Sequence, residues 1–164
     1  QYTESEINNA KAELVRKQSL KNAYMKVSTW KGCDKMTVES LEGTSHFAIA
    51  AWEIHSDYSA DSKLNGIKVS TSKWRRPDPR SFPIHIKFAG AYAVNAMAKH
   101  TAIKEGFDDA MMLDYRGYIA EGSASNIFFI KDNELHTPAP GNFLDGITRS
   151  EIIELAKSNN ITGK

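Results

Sequence analysis

The chain has 164 residues, 41% hydrophobic and 25% charged, with a net charge of +1. This is the composition of a globular domain or parts of two, and the near-neutral charge gives no overall electrostatic case for nucleic acid or an anionic membrane. No apolar run reaches membrane-spanning length, and no metal site is assigned.

In chain order, ESEINNAKAELVRKQ (4–18) places Ile7, Ala10, Leu14 and Val15 at helical spacing. NAYMKVSTW (22–30) alternates as a strand. HFAIAAWEI (46–54) is a second strand, so uniformly apolar that both faces are expected to be buried. Residues 55–66 are polar and turn-rich and predict an interdomain connection.

IKVSTSKW (67–74) is strand-like. The basic stretch KWRRPDPR (73–80) carries a Trp beside two Arg, but its Pro and Asp residues predict a solvated loop. PIHIKF (83–88) reads as an extended segment. GAYAVNAMAKHTAIKEG (90–106) predicts a helix with Tyr92, Ala96, Ala102 and Ile103 as its apolar stripe and Gly106 as its stop. Strands follow over 109–115, 118–121, 126–132 and 134–138, the last two joined at Asp132-Asn133. TRSEIIELAKSN (148–159) is a helix whose start fits a capping box, with Thr148 at the N-cap and Glu151 at N3.

Cys33 is the only cysteine, so no internal disulfide can form, which predicts a reducing, cytoplasmic setting. The first residues show no signal-peptide pattern. The chain opens almost directly into a helix without an initiator Met and stops just after another helix, which suggests a partial chain.

Three positions carry chemistry on this map. Lys87 lies where an extended segment enters a small-residue helix start. Glu121 closes an apolar strand just before GSAS, where burial is costly without a cationic partner. Thr148 stands at a helix start directly after LDGI. A lysine, a carboxylate and a helix N-terminus are what pyridoxal 5'-phosphate requires: an amine for its aldehyde, an acceptor for its ring nitrogen and free N–H groups for its phosphate. A pyridinium would then be the cation that Glu121 awaits. Taken singly, each of the three is more often a surface residue or an ordinary cap.

The stretches KFAGAYAVNAMAKHTAIKEGFDDAMMLDYRGYIAEGSASNIFFIKD and LHTPAPGNFLDGITRSEIIELA resemble, in unbroken order, the fold-type IV pyridoxal-phosphate aminotransferases, most of all the branched-chain amino acid aminotransferases. The resemblance implies an α+β, two-domain fold of the D-amino acid aminotransferase-like kind, present in part. Residues 1–54 would complete the small domain, 55–66 would link, and 67–164 would begin the large cofactor domain.

The resemblance also implies roles. Lys87 forms the Schiff base and later moves the proton. Glu121 faces the ring nitrogen, Tyr92 the ring hydroxyl and Leu144 the ring face, while Ile147 and Thr148 bind the phosphate. Tyr24, Lys26 and Trp52 would meet the substrates, Lys26 standing where the family carries an Arg. Ala124 stands where the family usually has Gly, a cost on the order of 1 kcal/mol if that position needs a positive φ. The implied reaction moves the amino group of leucine, isoleucine or valine to 2-oxoglutarate in a homodimer. A D-amino acid aminotransferase, an aminodeoxychorismate lyase and an inactive fragment remain as alternatives.

Overall fold

The structure, a computed structural model, describes residues 2–32, 43–54 and 58–163; Cys33 and 55–57 of the expected connection lie outside them. The chain divides into two compact units, residues 1–59 and 60–164.

In the first unit, helix α1 (Glu4–Lys17) starts with a capping box. The Thr3 hydroxyl accepts from the Glu6 amide at 3.3 Å, and the Glu6 carboxylate accepts from the Thr3 amide at 2.7 Å. Two free N–H groups are satisfied reciprocally. Strands β1 (Ala23–Lys31) and β2 (Ser45–Glu53) pair antiparallel, with Tyr24 opposite Trp52 and Lys26 opposite Ala50.

The expectation that β2 is buried on both faces is not met. Its half-buried residues, Phe47, Ile49 and Ala51, share one face, where Tyr2 packs its ring 5.8 Å from Phe47 and α1 lies against the strand. His46, Ala48, Ala50 and Trp52, on the other face, are exposed. Continuous apolarity hid the period-2 alternation that burial imposes.

The second unit begins with a short helix, α2 (Ala60–Asn65), inside the stretch expected to be irregular. Strand β3 (Val69–Arg75), helix α3 (Tyr92–Lys104) and strand β4 (Asp109–Leu113) make a parallel β–α–β unit, and β5 (Ile119–Gly122) adds antiparallel to β4. Strands β6 (Phe129–Lys131) and β7 (Glu134–His136) form the expected hairpin. Asp132 and Asn133 both take positive φ, +50° and +62°, as a two-residue primed turn requires. Helix α4 (Ile147–Ser158) follows an irregular stretch, residues 137–146.

Helix α3 ends as its sequence predicts. Gly106 has φ +83°, its N–H donates to Ile103 O at 3.1 Å, and the Phe107 N–H donates to Ala102 O at 3.0 Å. That is the Schellman pattern, open to glycine because it has no Cβ to strain there. The expected apolar stripe is corrected. Tyr92, Ala96 and Ile103 are exposed, and only Ala102 of the four is buried. The buried row is Ala91, Asn95, Ala98 and Ala102. Small side chains let the helix lie close on the sheet, where Ala98 and Ala102 meet Ala110 and Met112 of β4, with Trp74 and Val94 at the edge.

Asp114, 2% exposed at the end of β4, gathers the far side of this unit. It accepts from the backbone N–H of Arg116 and Tyr118 at 2.9 and 3.0 Å, and from Arg116 Nη2 at 2.8 Å. Asn142 Nδ2 donates to it at 2.9 Å from the irregular stretch before α4. Burial pushes the Asp114 carboxyl up, but the hydrogen bonds from Arg116 and Tyr118 outweigh it and hold the group below the usual aspartate value. A depressed acid stabilises the fold above its unfolded pKa of about 4, and that stability is lost as pH falls through the folded value. Asp114→Asn should therefore flatten the acid limb of a melting-temperature profile below about pH 4 and cost about 2 kcal/mol at neutral pH. A profile parallel to the wild type would refute this.

Candidate active site

Lys87 follows a turn at Ile84-His85, not the extended segment that the sequence predicts. Ile84, 1% exposed, anchors that turn in the core, which leaves Lys87 exposed just ahead of the 3-10 turn Ala89–Ala91 and of Tyr92, the first residue of α3. Glu121 lies on β5 opposite Met112. The turn after it, Ser123–Asn126, bends back through a Gly122 N–H to Ser125 O bond of 2.7 Å. Ala124 is not among the residues with positive φ, so the conditional strain does not arise there.

The N-cap of α4 is Gly146, which corrects the expected capping box. Thr148 is therefore the second residue of the helix, and no side chain caps its start. Gly146 lies close against the side-chain amide of Asn126, which would have to shift to admit a Cβ there. The helix start thus keeps N–H groups without intrahelical partners. Ile147 is 82% exposed and takes no part in the core of the described residues. Asp145 would oppose an anion at this point, but Arg149 Nη1 holds its carboxylate at 3.0 Å.

Lys87, Tyr92, Glu121, Leu144, Ile147 and Thr148 all line one cavity of about 730 Å³, a volume in the range of small-molecule sites. Tyr24, Lys26 and Trp52 lie in the first unit. They share one exposed face of the β1–β2 sheet, where the Tyr24 and Trp52 rings stand 5.0 Å apart.

The cavity also contains a residue assigned to the solvated loop. Arg76 is 3% exposed, and its Nε lies 3.1 Å from Glu121 Oε1. The pair is an ion pair by distance only, because Nε makes no aligned hydrogen bond. Arg76 Nη1 donates to Asn95 Oδ1 at 2.6 Å, and Asn95 Nδ2 donates to Ser123 O at 2.7 Å. Ser123 Oγ in turn donates to buried Asp109 at 2.5 Å, which Lys99 approaches at 3.4 Å. Burial pushes the Glu121 carboxyl above the usual glutamate value, and Arg76 and then Asn95 oppose that shift.

Arg76, Asn95 and Ser123 were missed from the sequence. The available signal was Asn95 itself, a polar residue four after Ala91 and three before Ala98 on the small-residue row.

An exposed amine, a buried carboxylate beside an arginine and an uncapped helix start around one cavity suit a small phosphorylated carbonyl compound. The sequence model of the amino-transferase class IV family matches residues 1–164, and the chain belongs to that family.

A probable branched-chain-amino-acid aminotransferase of Rickettsia bellii is 38% identical over 157 residues, 96% of this chain and 53% of that protein. A branched-chain-amino-acid aminotransferase of Pseudomonas aeruginosa is 39% identical over 155 residues, 94% and 50%. The chain thus spans about half the length of the curated relatives it matches. Among solved structures, the branched-chain amino acid aminotransferase from Thermobaculum terrenum in its PLP-form matches with a TM-score of 0.84 and 26% identity, covering 99% of this chain and 53% of that one. The Escherichia coli branched-chain amino acid aminotransferase matches with a TM-score of 0.86 and 30% identity, covering 99% and 52%.

Proposed function

We propose that this chain carries a large part of the active site of a pyridoxal-phosphate-dependent aminotransferase. Its reaction exchanges the amino group of leucine, isoleucine or valine with 2-oxoglutarate, giving branched-chain 2-oxo acids and glutamate. The single observation that carries this reading is the convergence of Lys87, Glu121 and the uncapped start of α4 on one cavity. The names of the relatives favour branched-chain substrates over the D-amino acid and aminodeoxychorismate alternatives.

Pyridoxal phosphate, when bound, supplies an aldehyde that takes the amino group and a ring that withdraws electrons. The chain's residues do the rest. The Lys87 amine would hold the aldehyde carbon until the substrate amine displaces it, and the freed amine would then take the proton from the substrate Cα. Glu121 would accept from the ring nitrogen and keep it protonated, Tyr92 would donate to the ring hydroxyl, and Leu144 would pack on the ring face. Backbone N–H groups at Ile147 and Thr148, with the Thr148 hydroxyl, receive the phosphate where the helix dipole favours a negative charge.

Residues 1–54 are read as the end of the small domain, 55–66 as the linker and 67–164 as the start of the cofactor domain. The working unit is read as a cytoplasmic homodimer; among the described residues no helix is long and apolar enough to cross a membrane.

Tyr24, Lys26 and Trp52 are read as the substrate side, with Lys26 meeting the side-chain carboxylate of glutamate. Lysine lacks the two-pronged grip of arginine on a carboxylate. Lys26→Arg should therefore lower KM for glutamate by roughly three- to tenfold and leave KM for leucine unchanged. Unaltered glutamate kinetics would remove Lys26 from the substrate side.

The function itself is tested by absorption spectroscopy with added pyridoxal phosphate. A visible band that shifts with leucine and returns with 2-oxoglutarate is expected. A response to D-alanine alone, or pyruvate release from aminodeoxychorismate, would move the assignment to those alternatives. No band would leave the activity to the longer relatives.

A further inference from the structure

We infer that Asn95 is a positioning residue, whose amide fixes the Arg76 guanidinium against Glu121 and ties it to the turn at Ser123 that walls the cavity. The inference rests on the assignment of Glu121 to the cofactor ring.

Asn95 is 9% exposed on the inner face of α3. Its neighbours leave no choice of amide orientation. A guanidinium only donates, so Oδ1 must face Arg76, at 2.6 Å; a backbone carbonyl only accepts, so Nδ2 must face Ser123 O, at 2.7 Å. The amide therefore joins the segment after β3 to the turn after β5 across α3.

Arg76 needs this help. Its Nε stands 3.1 Å from Glu121 Oε1 without an aligned hydrogen bond, so distance alone does not set the angle of the guanidinium plane. The bond from Nη1 to Asn95 sets it. On the other side, Ser123 is fastened twice, by Asn95 at its carbonyl and by Asp109 at its hydroxyl. Ala124, Ser125 and Asn126, which follow it, line the cavity, and Asn126 packs against Gly146 at the start of α4. One amide thus bears on both the carboxylate and the helix start.

The other charged or titratable groups around Glu121 are Arg76 after β3, His85 and Lys87 before α3, and Asp145 before α4; Tyr92 completes the set. None of these reaches Ser123 O in place of Asn95.

The test uses Asn95→Ser, which is too short to span both partners, and Asn95→Leu, which fills the space without polarity. Glu121 is followed by carbon-13 carboxyl titration without cofactor, and pyridoxal phosphate affinity by spectral titration. In both variants Glu121 should titrate at higher pH than in the wild type, and cofactor affinity should fall by about tenfold, the scale on which groups that orient a direct ligand act in metal sites. A Glu121 titration unchanged in either folded variant overturns the inference. A wild-type protein that takes up no pyridoxal phosphate overturns the cofactor assignment instead, and the Glu121 titration still decides the role of Asn95.

Discussion

Lys87→Ala is expected to abolish transamination while leaving the fold intact. Loss of one acid–base group costs up to about 10⁴-fold in rate. Lys87 is proposed both to hold the aldehyde and to move the proton, so the loss should reach at least that figure. Because the side chain is exposed on the cavity wall, its truncation should change stability by less than about 0.5 kcal/mol. Two measurements separate the outcomes: turnover with leucine and 2-oxoglutarate, and the melting temperature. Residual turnover within tenfold of wild type would mean that another amine does this work. Lost turnover with an equal loss of stability would mark Lys87 as structural.

The second large effect belongs to Arg76→Leu. The side chains of Arg76 and Glu121 are 3% and 10% exposed, so removing the cation leaves a carboxylate buried without its ion-pair partner. Breaking a buried pair from one side costs about 3–5 kcal/mol, whereas replacing both partners by apolar groups is often neutral. Arg76→Leu should therefore destabilise strongly, and the double variant Arg76→Leu/Glu121→Leu should recover most of the loss. The sign with pH also follows. Glu121 already has a raised pKa, and losing Arg76 raises it further, so its contribution is present at low pH and lost as pH rises through the folded value. The single variant should be least impaired in acid. Denaturant titration at pH 4 and pH 8 reads both effects. Equal stability of the single and double variants would show that the two side chains do not support each other.

Local signals were legible in the sequence where one element decides its own form. Asp132-Asn133 can turn a hairpin because both residues tolerate a positive φ, and Gly106 can end a helix for the same reason. Arg76 was misread because Pro and Asp beside it speak for a loop, and the loop is there; its burial is decided by Glu121, 45 positions further on in the chain. In α3 the expected stripe of Tyr92, Ala96, Ala102 and Ile103 shares only Ala102 with the buried row, and Ile103 is 55% exposed while Ala91, Ala98 and Ala102 are buried. Close approach favours small side chains, and hydrophobicity alone does not report it.

Thr148 shows a further limit. TRSE and TESE both fit a capping box, and only the second forms one. At TRSE the helix starts earlier, at Ile147 with Gly146 as its N-cap, so Thr148 already lies inside the first turn. Of the candidate site, Lys87 and Glu121 were singled out in the sequence; the Arg76–Asn95–Ser123 bridge beside Glu121 was not, since it exists only after three segments meet.

The bond from Asn142 to Asp114 closes a loop across 28 positions of sequence. Before it lies a hairpin that can form from neighbours alone; after it come Leu144, Gly146 and the start of α4. Closing a long loop is an entropic debt settled only when the far contacts form. The cavity wall at the start of α4 should accordingly be among the last parts to assemble as the chain folds, and among the first to open in the native state. A phosphate-bearing ligand seated there would then act as a clasp on folding itself, raising the population of the closed chain by mass action as its concentration rises.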